Sequence, residues 1–217
     1  MHPVRLFSRF ATFFVLLAAA AFAAEPTYKT IDEAIARGDV EDVKRHLAKD
    51  PSAAKGAPGA RLAPLHNAIL RKQPAILDAL LAAGASPSAP DASGRSPLHL
   101  AVDRGDLGMV TSLVKAKADA TVRDRTGWTP LHLAAAKGRG EIAAVLLDGG
   151  VDPNILSGAG GTALHEAAAS GGGAVVRLLL ARGVDPKIVS QHGVTALEIA
   201  RQFNQAEAIE ILTAAGK

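Results

Sequence analysis

Four histidines, His66, His99, His132 and His165, stand 33 residues apart along the chain. An imidazole can ligate a metal, carry a proton or fix a turn by hydrogen bonding, and its company decides which. A tetrahedral metal site needs several ligands converging on one point. These histidines follow one another at a long fixed interval, the chain has no cysteine, and no paired carboxylate accompanies each ring. The glycine-rich run Ser157-Gly158-Ala159-Gly160-Gly161 could cradle a phosphate only with the lysine of a G-x-x-x-x-G-K-[ST] loop and a strand before it, and it has neither. No H-E-x-x-H or G-x-S-x-G motif occurs. The expectation is a chain that is not an enzyme, with no catalytic set, no metal and no cofactor, whose histidines serve the fold.

Each histidine belongs to a longer recurrence. Pro64-Leu65-His66-Asn67-Ala68, Pro97-Leu98-His99-Leu100-Ala101, Pro130-Leu131-His132-Leu133-Ala134, Ala163-Leu164-His165-Glu166-Ala167 and Ala196-Leu197-Glu198-Ile199-Ala200 share the same 33-residue register. Ser96, Thr129, Thr162 and Thr195 stand before these runs as hydroxyl N-caps able to accept from free backbone N–H groups. Pro97 and Pro130 occupy the first helical position, where proline loses no hydrogen bond. A short helix therefore starts at each run and ends near Gly105, Gly138 or Gly171. A second apolar helix follows, as at residues 142–147 or 175–180, and Gly84, Gly150, Gly183 and Gly216 fall where a left-handed residue would close it. Gly94, Gly127, Gly160 and Gly193 mark the turn before the next unit. A helix pair this small cannot bury its apolar face alone, so the units must stack, and stability becomes a sum of interfaces along the array.

The period and the T-P-L-H-x-A run resemble the ankyrin repeat. The resemblance covers nearly all of the chain after residue 23. It implies an all-α solenoid of helix-turn-helix units joined by β-hairpin-like loops. The units fall at residues 24–59 (an N-terminal capping repeat), 60–92, 93–125, 126–158, 159–191 and 192–217 (a C-terminal capping repeat). Four positions depart from the pattern. Ala63 lacks the cap hydroxyl, Arg61 replaces a turn glycine, Lys117 occupies a helix-ending glycine position, and Glu198 replaces the motif histidine. Thr195 and Glu198 together form a capping box, which accounts for the last.

Residues 1–23 read as a secretory signal peptide: Arg5 and Arg9, an apolar run from Phe10 to Ala20, and an A-x-A site at Ala21-Phe22-Ala23. The apolar stretch is shorter than the roughly 20 residues of a membrane-spanning helix, so cleavage after Ala23 and no stable membrane span are expected. Removing residues 1–23 takes away two arginines and no acid. Lys+Arg falls from 24 to 22 against 21 Asp+Glu, and the net charge falls from +3 to +1. A near-neutral exported chain is a poor ligand for nucleic acid. With no cysteine, its stability in an oxidising compartment rests on packing rather than on disulfides. The periplasm is the expected location, with the extracellular space as the alternative, and the chain is expected to be a monomer.

What remains is a surface. In the fold that the resemblance implies, the hairpin tips and first-helix ends line a concave face that binds other proteins. By register this face carries Arg95, Arg104, Arg123, Arg125, Trp128, Lys137 and Arg139 near the middle of the array. Arginine and tryptophan are frequent binding anchors, and such a surface would favour an acidic patch on a partner protein. The same residues fit equally a solvated surface on which Trp128 packs against its own hairpin. Three roles suit the chain: a periplasmic adaptor or protective scaffold, a secreted effector that binds a host protein, and an inhibitor or accessory subunit of an envelope enzyme.

Overall fold

The computed structural model describes residues 25–56 and 62–216. The expected leader at residues 1–23 and the expected turn departure at Arg61 lie outside the described residues. Twelve α-helices occur among the described residues and fall into six antiparallel pairs. They are α1 (Ile31–Arg37) with α2 (Val40–Lys49), α3 (Pro64–Leu70) with α4 (Pro74–Ala82), and α5 (Pro97–Arg104) with α6 (Leu107–Lys115). Then come α7 (Pro130–Ala136) with α8 (Gly140–Asp148), α9 (Ala163–Ser170) with α10 (Gly173–Ala181), and α11 (Ala196–Gln202) with α12 (Ala206–Ala215). A 3-10 turn at Pro51–Lys55 follows α2.

The first helices stack on one another in chain order and the second helices do the same, giving two parallel rows. Alanine makes the first row possible. Ala34, Ala68, Ala101, Ala134, Ala167 and Ala200 are fully buried at one register position and let neighbouring helices approach closely. Larger side chains fill the space between the rows, among them Leu98, Met109, Leu113, Leu131, Leu146 and Leu179. The core is one continuous cluster running the length of the array, as expected of a solenoid.

At the N-terminal end, residues 25–30 lie across α2. The fully buried carboxylate of Asp42 accepts from the backbone N–H of Thr27 and of Tyr28, and from the Arg45 guanidinium at 2.7 Å. Burial alone would raise the Asp42 pKa, but these donors outweigh it and hold the group at about 2.

The helix ends refine the sequence expectations. Lys117 has φ 61°, so it does close α6 in the left-handed conformation that Gly84, Gly150 and Gly183 adopt at equivalent positions. Gly216, expected to do the same, has φ −84° and stays in the right-handed region. Lys72 and Asn204 also have positive φ, at the first-helix ends where Gly105, Gly138 and Gly171 serve elsewhere.

Candidate protein-binding surface

The caps and hairpins that shape the concave face are built around the histidines. The hydroxyls of Ser96, Thr129 and Thr162 were expected to accept from backbone N–H groups. Ser96 and Thr162 do so within capping boxes, and all three hydroxyls also pair with Nδ1 of the histidine three residues on, at 2.9, 2.8 and 3.0 Å. Nε2 of His99, His132 and His165 reaches the carbonyl of Trp128, Gly161 and Val194 respectively, at 2.9, 3.0 and 3.2 Å. A carbonyl can only accept, so Nε2 carries the proton and Nδ1 is left as the acceptor. The backbone N–H of Ser96 and of Thr162 donates to that Nδ1 as well. Each imidazole thus ties its own helix start to the hairpin of the next unit. Burial is the main reason that His99 and His165 are held below their ordinary pKa, and that His132 is pushed down to about 4. Among the described residues no group of three or more His, Cys, Asp and Glu is placed to hold a metal ion.

His66 is the exception. Neither of its buried ring nitrogens closes a hydrogen bond. Ala63 offers no hydroxyl to Nδ1, and α3 starts without any side-chain cap.

Hairpin tips differ along the array in how they are locked. In the first two, the Asp91 carboxylate accepts from the N–H of Ser93 and of Arg95, and Asp124 accepts from the N–H of Thr126 and of Trp128. The equivalent positions further along are Ser157 and Ser190, whose shorter side chains leave the hydroxyl oxygen buried and without a partner. Neighbouring tips touch through backbone. Gly158 N–H donates to the Gly127 carbonyl at 2.8 Å, and a Cβ on Gly158 would come within 2.9 Å of Gly127 Cα. The glycine-rich run is therefore a docked tip whose glycines permit close approach.

The seven residues assigned to the surface fall into three groups. Arg95, Lys137 and Arg139 gather around Asp103. Lys137 bonds the carboxylate at 2.9 Å, and that bond, with the added fields of Lys137, Arg139 and Arg95, holds the Asp103 pKa below its ordinary value. Two of these three also serve the fold. Arg95 forks onto Asp91 through Nε and Nη2 at 3.1 and 3.0 Å, and the Arg139 guanidinium donates to the Val102 carbonyl at the end of α5. Arg123 reaches the Leu156 carbonyl of the next hairpin at 2.8 Å. Trp128 is half-buried with its backbone held at both N–H and carbonyl, while Arg104 and Arg125 are exposed and form no ion pair among the described residues.

One residue escaped sequence reasoning. In the L-H-x-A runs the x position reads Asn67, Leu100, Leu133, Glu166, Ile199, and only Glu166 is ionisable. It is half-buried, makes no hydrogen bond or ion pair among the described residues, and is pushed up in pKa by burial. The interruption of an apolar register was the signal that could have found it.

These elements define a class of protein: a helical solenoid whose functional face is assembled from successive turns. The family profile described as ankyrin repeats (3 copies) matches residues 33–124, 65–157 and 146–217. The chain belongs to the ankyrin-repeat family. The crystal structure of EF0377, an ankyrin repeat protein, is similar to it with a TM-score of 0.78 and 28% identity. That likeness covers 86% of this chain and 98% of the other. No curated protein matches. Ankyrin repeats are generally protein–protein interaction modules, and the fold is typically a non-catalytic scaffold. No helix among the described residues is long and apolar enough to cross a membrane.

Proposed function

We propose that this protein is a non-catalytic adaptor or protective scaffold of the periplasm, and that it holds a partner protein bearing an acidic patch against the centre of its concave face. The observation that carries this reading is the gathering of Arg95, Lys137 and Arg139 around the carboxylate of Asp103, beside the tip that presents Trp128. Arg95 is paired with Asp91 and Lys137 with Asp103, so three cations against two carboxylates leave a local excess of one positive charge, that of Arg139. Such an excess steers an acidic surface and selects against a basic one. Trp128 supplies apolar area at the same place, on a backbone already fixed by Asp124 and His99. The leader-like residues 1–23 support export.

The test uses a variant that spares the fold. Arg95 stays unchanged because its guanidinium balances Asp91, whose side chain is only 2% exposed. Trp128→Ala, Arg104→Glu and Lys137→Glu are combined instead, Lys137 being the exposed cation of the cluster. Charge reversal is chosen because repulsion from an acidic partner adds to the lost contact. The wild-type protein, immobilised and challenged with envelope extract, should retain a partner whose binding weakens as salt rises. The triple variant, with an unchanged helical spectrum, should not retain it. Retention of the same partner at the same salt sensitivity would place binding elsewhere. Recovery of the protein in the cytoplasmic fraction would refute the periplasmic assignment.

A further inference from the structure

A groove of about 380 Å³ lies between α9 and α11 and their hairpins, lined among others by Ser157, Glu166, Ser190, Ile199 and Phe203. That volume is near the lower end of ligand-site sizes, which run from roughly 300 to 1,000 Å³, and suits one side chain better than a large molecule. Its lining breaks the register twice, in opposite senses. At the hairpin position where Asp91 and Asp124 place carboxylates that lock the turn, Ser157 and Ser190 present hydroxyls that lock nothing. At the helix position where Leu100, Leu133 and Ile199 are apolar, Glu166 presents a carboxylate. Ser157 is only 5% exposed, yet its hydroxyl oxygen has no partner. Phe203, by contrast, is 55% exposed at the groove's edge.

A half-buried carboxylate without a cation and an exposed aromatic ring are both unfavourable in the unbound molecule. One chemical group answers both. A guanidinium can fork onto a carboxylate with two N–H bonds and lay its flat face on an aromatic ring. An anion would be repelled by Glu166. A metal ion would find one carboxylate where it needs several oxygen ligands. We propose that this groove receives an arginine side chain of the partner protein, with Glu166 as counter-ion and Phe203 as stacking face.

The inference rests on the reading of the chain as a protein-binding module, but it can fail alone, because a short peptide tests it without the partner. The purified exported protein is titrated with acetyl-Gly-Arg-Gly-amide, with the same peptide carrying citrulline, arginine's neutral isostere, and with acetyl-Gly-Glu-Gly-amide. Amide shifts are followed by NMR. The arginine peptide should give saturable shifts confined to residues 157–166 and 190–203, the citrulline peptide should bind at least about tenfold more weakly, and the glutamate peptide should not bind. Glu166→Gln should abolish the arginine response, and Phe203→Ala should weaken it. Glu166→Leu supplies the fold control. It restores the apolar register and should unfold at the same or higher denaturant concentration than wild type while losing the response. Equal shifts from arginine and citrulline, an undiminished response in Glu166→Gln, or a Glu166→Leu protein less stable than wild type would each overturn the proposal. Partner capture that survives Glu166→Gln unchanged but is lost in the Trp128 triple variant would overturn this groove's role and leave the central surface intact. A wild-type protein that retains no partner at all would sink the adaptor reading instead.

Discussion

Ala63→Thr should stabilise the protein by about 1 kcal/mol, an estimate that follows from how the other repeats treat the same position. Ser96, Thr129 and Thr162 each place a hydroxyl within 3.0 Å of an imidazole Nδ1, whereas His66 Nδ1 is buried with no partner behind Ala63. A neutral hydrogen bond contributes roughly 0.5–1.5 kcal/mol net, and a hydroxyl N-cap over alanine roughly 0.5–2. One hydroxyl performs both roles here, so the two figures overlap and do not add. Space is available, since Ala63 is only half-buried and its backbone already has the extended conformation of the other caps, with φ −71° and ψ 156° against −91° and 166° at Thr129. The assay is urea unfolding followed by circular dichroism, comparing midpoints at constant slope. Ala63→Val is the decisive companion, because valine has threonine's shape without its hydroxyl. Thr129→Val tests the converse and should cost a similar amount. If Ala63→Thr and Ala63→Val shift the midpoint equally, shape rather than hydrogen bonding is responsible, and the account of His66 is wrong.

Three further outcomes are expected. Lys117→Gly should raise stability by roughly 1 kcal/mol, because glycine reaches φ 61° without the steric penalty of a side chain, and an unchanged urea midpoint would refute it. Acid should destabilise the fold between about pH 6.5 and pH 4. The buried histidines are depressed, His132 to about 4, so the unfolded chain binds more protons throughout that window and stability is lost as pH falls. Protonation also turns Nδ1 into a donor facing the donor N–H of Ser96 and of Thr162, and flat stability down to pH 4.5 would contradict this. Gly158→Ala should cost about 1–3 kcal/mol by forcing the Gly127 and Gly158 tips apart, measurable as a lower thermal midpoint, and a neutral effect would mean that the tips are not docked.

Much of the fold was legible because stacking makes a position answer to its equivalents one period away. The register of Ala101, Ala134 and Ala167, the proline-led helix starts and the left-handed Lys117 all follow from comparing a unit with its neighbours. What was not legible depends on contacts across units that no single repeat displays. The Thr129 hydroxyl turned towards its histidine because an imidazole three residues on competes with the backbone for the same oxygen. Lys72 and Asn204 took left-handed conformations with no glycine to announce them. The length of arginine hides its target. Arg139 and Arg123 looked like free surface charge, yet each reaches a backbone carbonyl of an adjacent unit. Glu166 was readable as an exception within its register, but only the groove shows what that exception borders.

In a repeat array a departure from the register is therefore more informative than an agreement with it, provided that its compensation is traced. Glu198 replaces a histidine and is compensated on the spot, since its carboxylate accepts from the Thr195 N–H at 2.7 Å while Thr195 Oγ1 accepts from the Glu198 N–H. Ala63 and Lys117 are uncompensated, but each is a local defect with nothing around it that a ligand could use. One borders a buried imidazole closed off from solvent, and the other strains an exposed backbone turn. A stable array tolerates such defects because its interfaces add. Glu166 and Ser157 differ from both. They line one groove with an aromatic ring that the fold leaves exposed, Glu166 as a carboxylate unpaired among the described residues and Ser157 as a hydroxyl buried beneath the surface. A ligand that paired Glu166 would offset the cost of its half-burial only while bound.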